Sequence, residues 1–231
     1  MLGMTALMVL LMTGCASTGG ESDPNDPYES FNRTMFSFNK SLDETIFAPI
    51  ASVYTDVTPA PARTAVYNVF ENLAYLTTVI NQILQGKVER GFEDAGRFLF
   101  NSTFGLGGLI DFSSGVGLER HTEDFGQTLA VWGVSQGAYL ELPLFGPTTM
   151  RDLPGIPADT ATDILTWVGS DTWDYVMNGV KRVEQRARLD SAIKLRDKSS
   201  LDPYVFQREA FLQRRRHLIY DGNPPLDSQS Q

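Results

Sequence analysis

Between Phe31 and Leu99 the apolar side chains recur at helical spacing, a pattern that leaves little room for a sheet. Phe31, Met35, Phe38, Leu42 and Ile46 fall on one face, up to a stop at Pro49. Asp26-Pro27-Tyr28-Glu29 supplies the start: Asp as N-cap, Pro at the first helical position, Glu three residues after the cap. After a turn at Pro59 and Pro61, a wide stripe runs from Val66 through Phe70, Leu73, Leu76 and Ile80 to Leu84, and Gly86 ends it. The spacing predicts a third helix from Lys87 to about Asn101, with Val88, Phe92, Ala95 and Leu99 turned inward.

The middle of the chain is punctuated differently. Thr103 to Leu118 holds Gly105, Gly107, Gly108, Gly115 and Gly117 among apolar residues, which reads as a hinge or as tight backbone packing. Ala138, Leu140, Leu142 and Leu144 alternate, as in an isolated strand or an extended loop; Pro143 excludes a central strand. Helices return from Ala158, with Trp167, Trp173 and Tyr175 clustered, and a last one opens at Asp202-Pro203 and runs to about Tyr220. Strands never alternate with helices. The expected fold is therefore mainly α, with little or no sheet, as one domain over residues 26–220 and a disordered tail at 221–231.

Charge narrows the function. The 231 residues carry a net charge of −9, which argues against nucleic-acid binding, since phosphate neutralisation needs a basic surface. That charge is unevenly spread: residues 1–180 hold 8 basic and 21 acidic side chains, residues 181–231 hold 11 and 7. Arg214, Arg215 and Arg216 head the basic end. They read either as a helix C-terminus opposing its macrodipole or as a contact for anionic headgroups or an acidic partner.

One cysteine, Cys15, cannot form an internal disulfide. It follows the apolar run Leu7–Met12 and the small residues Thr13 and Gly14, the lipobox arrangement of bacterial lipoproteins. That run is too short for a permanent transmembrane helix and fits a secretory h-region. The expectation is a signal peptide over 1–14, lipid attachment and cleavage at Cys15, and a flexible tether over 15–25. Met1 to Thr5 lacks the basic residue an n-region carries, which points to a start upstream. Beyond Cys15 no run reaches the length of a transmembrane helix.

Catalytic patterns are poor. Gly133-Val134-Ser135-Gln136-Gly137 matches the G-x-S-x-G nucleophile elbow, the basis of an alternative reading as a Ser135-dependent lipase or esterase. That elbow needs a strand before Ser135 and a helix after it, and Ala138–Pro143 does not start a helix. His217, the only histidine that follows, sits beside three arginines. Two histidines cannot supply a typical zinc site, and Gly105-Leu106-Gly107-Gly108 lacks the context of a dinucleotide fingerprint. Glu93-Asp94 and Glu123-Asp124 read as surface carboxylates. No metal, cofactor or enzymatic activity is expected.

From Asp26 to Tyr220 the chain resembles the MlaA/VacJ family of outer-membrane lipoproteins. The resemblance rests on Asp26-Pro27-Tyr28-Glu29 leading into Phe31-Asn32-Arg33, on Pro59-Ala60-Pro61-Ala62-Arg63 and on Leu84-Gln85-Gly86-Lys87. It continues through Arg97-Phe98, Asn101, Gly105-Leu106-Gly107-Gly108 and the long stretch Glu123-Asp124-Phe125-Gly126-Gln127-Thr128-Leu129. Trp132-Gly133-Val134, Arg151-Asp152, Asp202-Pro203-Tyr204 and Arg208-Glu209-Ala210 complete it. The family usually has Gly-Pro-Tyr where Gly137-Ala138-Tyr139 stands, and often a proline near Leu76.

The resemblance implies a ring-like assembly of amphipathic and interfacial helices around a polar channel, lying in the periplasmic leaflet of the outer membrane. It implies association with trimeric porins and transfer of mislocated outer-leaflet phospholipid to the soluble carrier MlaC, with no covalent bond changed. A porin-associated scaffold without transport shares the same anchor and helices. Channel or hinge positions are expected at Asn32, Arg33, Phe36, Gly105, Gly107, Gly108, Gly133 and Gly137. Wide apolar stripes and the Trp167, Trp173, Tyr175 cluster suit an interfacial body or an ordinary core.

Overall fold

Pro49 does not end the first helix in the computed structural model, which describes Asp23, residues 26–168 and residues 171–225. The expected signal peptide, Cys15, most of the tether and residues 226–231 lie outside the described residues. Helix α1 (Glu29–Leu42) passes into a π-helical turn, Asp43–Phe47, and on into α2 (Ala48–Val57). Proline lacks an N–H and its ring crowds the carbonyl four residues back. The wider turn, in which Ala48 N–H donates to Asp43 O, accommodates that ring and keeps the rod continuous.

Helices α3 (Ala60–Leu84) and α4 (Val88–Thr103) form a hairpin. Gly86, at φ +78°, closes α3: Gly86 N–H donates to Ile83 O at 3.0 Å and Lys87 N–H to Gln82 O at 2.8 Å. Pairing is antiparallel, as three cross-helix contacts show. Gln82 meets Asp94, Tyr75 meets Arg97 and Asn72 meets Ser102. A short helix α5 (Phe112–Gly115) follows, then α6 (Phe125–Val131), capped by Asp124, which accepts Gln127 N–H at 2.9 Å.

Strands β1 (Tyr139–Leu142) and β2 (Gly146–Thr149) pair antiparallel, with Tyr139 opposite Thr149 and Leu142 opposite Gly146. Pro143 falls in the connecting turn, where it removes no ladder bond. Then come α7 (Gly155–Thr162), a 3-10 turn (Ile164–Thr166), the long α8 (Asp171–Ser199) and α9 (Pro203–Ile219). Asp202 caps α9 by accepting from Tyr204 N–H and Val205 N–H, as its Asp-Pro start predicts. Mainly α with one small hairpin is the observed class. An aromatic knot ties first to last: the Phe36 and Tyr139 rings stand edge-on to Tyr204, at 5.8 and 6.2 Å.

Candidate lipid-facing surface and buried polar network

The helices are amphipathic, but their polar faces point inward. On α4 three of the four expected inward residues are exposed, Phe92 at 75%, Leu99 at 60% and Val88, while Ala95 is half-buried. Its buried face is Gly91, Asp94, Arg97 and Asn101. On α3 the buried residues include Asn72, Thr78, Asn81 and Gln82, while Leu76, Ile83 and Leu84 face out. Phe31, Phe38 and Ile46 are exposed in the same way. Among the described residues eight apolar or aromatic side chains are buried, against twenty-one polar or charged ones. Periodicity locates two faces of a helix without saying which solvent each meets, so the inward assignment fails.

Those buried polar groups are held by one another. The Arg97 guanidinium, wholly buried, donates to Tyr75 OH at 2.6 Å, to Asp111 Oδ1 at 2.8 Å, to Ser114 Oγ and to the Leu118 carbonyl. Asp94 receives Gln82 Nε2 at 2.7 Å and faces His121 Nδ1 at 3.0 Å; burial pushes its carboxyl up despite both contacts. Buried charge is tolerated only with such partners.

A second network joins the two ends of the domain. Asp26 does not cap α1; it is buried, and accepts from Asn32 Nδ2 at 2.7 Å, from Arg208 Nη1 at 2.9 Å and from Tyr204 OH. Asn32 also donates to Tyr139 O and accepts Glu141 N–H at 2.9 Å, like a residue of the neighbouring strand. It is a bracket between α1 and β1, not a channel wall. Phe36 is buried beside it, and Arg33 lies outside, paired with Glu29 and Asp202 at 2.7 and 2.8 Å.

The third network corrects the basic-end expectation. Arg215 is buried: its guanidinium grips both Asp124 oxygens and donates through Nε to Asp152 Oδ2 at 2.7 Å. Burial pushes the Asp124 carboxyl up, yet the bonds and charge of Arg215 outweigh this and hold it below its ordinary value. It is therefore no surface contact. Arg214 is exposed, and Arg216 is half-buried, with Nη2 donating to Pro225 O at 2.5 Å. Glu123, read as surface, is buried and bonded to Lys87 and Gln85 at 2.9 and 2.8 Å.

Space divides the glycines. A Cβ at Gly105 would meet Ile110 O at 2.2 Å, and one at Gly108 would meet Asn72 Cβ at 2.8 Å, so this segment is tightly packed. A Cβ at Gly137, where φ is +66°, would meet Met150 Cβ at 2.8 Å. Gly107 and Gly133, at φ +74° and +88°, have open space around them. Ser135 is exposed, with helix α6 before it and β1 after it, the reverse of a nucleophile elbow. No hydrogen bond joins it to His217 among the described residues.

Two cavities stand beside these networks. One, of about 290 Å³, is lined by Leu42, Phe47, Phe145 and Leu189 together with Lys40 and Arg182. The second, of about 640 Å³, lies between α9 and the segment after α6. No helix among the described residues is long and apolar enough to cross a membrane. Trp167, Trp173 and Tyr175 are exposed, so they are not core residues.

Comparison with known proteins places this arrangement. The family model described as MlaA lipoprotein matches residues 24–218. An intermembrane phospholipid transport system lipoprotein of Haemophilus influenzae is 36% identical over 229 residues, covering 95% of this chain and 90% of that one. Its Escherichia coli counterpart is 38% identical, with 96% and 89% covered. A solved structure concerning the "structural basis for maintenance of bacterial outer membrane lipid asymmetry" is 37% identical and superposes with a TM-score of 0.73, over 86% of this chain and 99% of that one. The chain belongs to the MlaA lipoprotein family.

Proposed function

We propose that this protein is an outer-membrane lipoprotein that removes mislocated phospholipid from the outer leaflet and passes it on for return, maintaining lipid asymmetry. The observation that carries the reading is the inversion of the helices. A surface bearing Phe92, Leu99, Phe104 and Leu106 in the open finds its solvent in acyl chains, each such side chain gaining about 1.5–3 kcal/mol on full burial. Family membership, and the relatives named for intermembrane phospholipid transport, support the same function.

Finer parts of the reading follow from it. The protein sits in the periplasmic leaflet, anchored through Cys15, with its helices arranged as a ring about a polar path. A trimeric porin holds it, and the soluble carrier MlaC receives the lipid. Hinge motion is assigned to Gly107 and Gly133, where space permits it. The test is copurification: the full chain extracted in mild detergent carries phospholipid and yields it to added carrier. A lipid-free protein that transfers nothing defeats the proposal.

A further inference from the structure

Arg151 is a buried cation with unused donors. Its side chain is 5% exposed, and Nε donates to Asp152 Oδ1 at 2.9 Å. Among the described residues Nη2 is buried with no hydrogen-bond partner, and no other bond engages the guanidinium. Asp152 offers it little more, because the carboxylate's other oxygen is taken by Arg215. Leaving such a group unmatched is costly, and a planar guanidinium is best matched by a bidentate oxyanion.

The same side chain forms part of the wall of the 640 Å³ cavity, a volume within the range of ligand sites. One face of α9 supplies further wall: Leu212, Gln213, Arg216 and Ile219 follow helical spacing, and Tyr220 caps the helix beside them. Arg216, whose Nη2 also donates to Pro225 O, brings a second guanidinium, and Leu212, Ile219 and Val134 bring aliphatic surface. Glu209, the one acid on the wall, is occupied by Arg208 at 3.0 Å. At its edge the wall includes Ala130 and Gly133, which flank the exposed Val131 and Trp132 and so join it to the apolar surface.

From these features we infer that the cavity between α9 and the Gly133–Gln136 segment is a phosphate site for a phospholipid headgroup. Arg151 and Arg216 grip the phosphodiester, and the aliphatic wall takes the glycerol and first methylenes. This rests on the transport reading and deepens it: it assigns the headgroup to a particular place and to a guanidinium pair. The run Arg214–Arg216 then divides by position, with Arg215 structural and Arg216 facing the ligand.

The experiment measures retention of labelled phosphatidylglycerol by the full chain in nonionic detergent, with diacylglycerol and inorganic phosphate as separate arms. Arg151→Gln and Arg216→Gln are each expected to weaken retention roughly tenfold, the scale of a charge-assisted pair, while Arg214→Gln retains lipid like wild type. Leu212→Trp narrows the cavity while keeping both guanidinium groups and is expected to lower retention as well, so a misfolded Arg151 variant does not decide the matter. Wild-type retention by both Arg216→Gln and Leu212→Trp overturns the site. So does diacylglycerol held as well as phosphatidylglycerol, or capture of inorganic phosphate with no lipid competition. Wild type that holds no phospholipid at all instead defeats the transport reading.

Discussion

Arg215 on α9 grips both carboxylate oxygens of Asp124, the residue that caps α6, 91 positions earlier in the chain. This pair fixes the angle between the last helix and the segment that leads to Gly133. Because Arg215 is buried, removing one partner leaves the other charge uncompensated. Arg215→Gln is expected to cost about 3–5 kcal/mol of unfolding free energy, whereas Arg214→Gln, at an exposed position, stays within about 0.5 kcal/mol. Denaturant midpoints in detergent distinguish them.

Asp159 gives the pH dependence. Burial, with the nearby Asp124 charge, pushes its carboxyl up from 3.8 to about 6, against hydrogen bonds from Phe125 N–H and Asn81. The folded state therefore holds this proton more tightly than the unfolded chain. Its contribution to stability is full below pH 3.8 and is lost as pH rises through about 6. Asp159→Asn is expected to raise the unfolding midpoint at pH 7.5 by more than at pH 4.5. Thermal melts of both proteins across that range provide the check.

Phe36 and Phe92 are the same residue type in opposite settings. Phe36 is buried against Tyr204, so Phe36→Ala should cost about 3–5 kcal/mol of stability. Phe92 is exposed, so Phe92→Ala should leave stability nearly unchanged and lower binding to phospholipid vesicles instead. Paired melts and vesicle flotation read the two effects separately.

Gly108 and Gly133 part in the same way. Gly108→Ala combines a left-handed φ of +92° with a Cβ 2.8 Å from Asn72 Cβ, and should disrupt the α3–α4 hairpin. Gly133→Ala meets no neighbour and should cost only the left-handed strain of about 1–2 kcal/mol. Lowered lipid transfer by folded Gly133→Ala supports a hinge there; normal transfer removes it.

Much of the architecture was legible in the sequence because caps and breakers act locally. Gly86 and Asp202-Pro203 do what their chemistry predicts. Asp26 does not, because its partners Tyr204 and Arg208 lie about 180 residues away and no local pattern announces them. The inversion had a signal that apolar periodicity hides: Asp94, Arg97 and Asn101 recur at spacings of three and four, a polar stripe as regular as the apolar one. Arg151 carried none, since its setting exists only once α9 folds over it.

An inside-out helical body of this kind serves phospholipid removal from the outer leaflet. The most direct test is the outer-leaflet phospholipid content of cells lacking this protein, read by accessibility to added phospholipase. The expected result is a rise that the wild-type chain reverses and Cys15→Ala does not. Unchanged outer-leaflet phospholipid in those cells would contradict it.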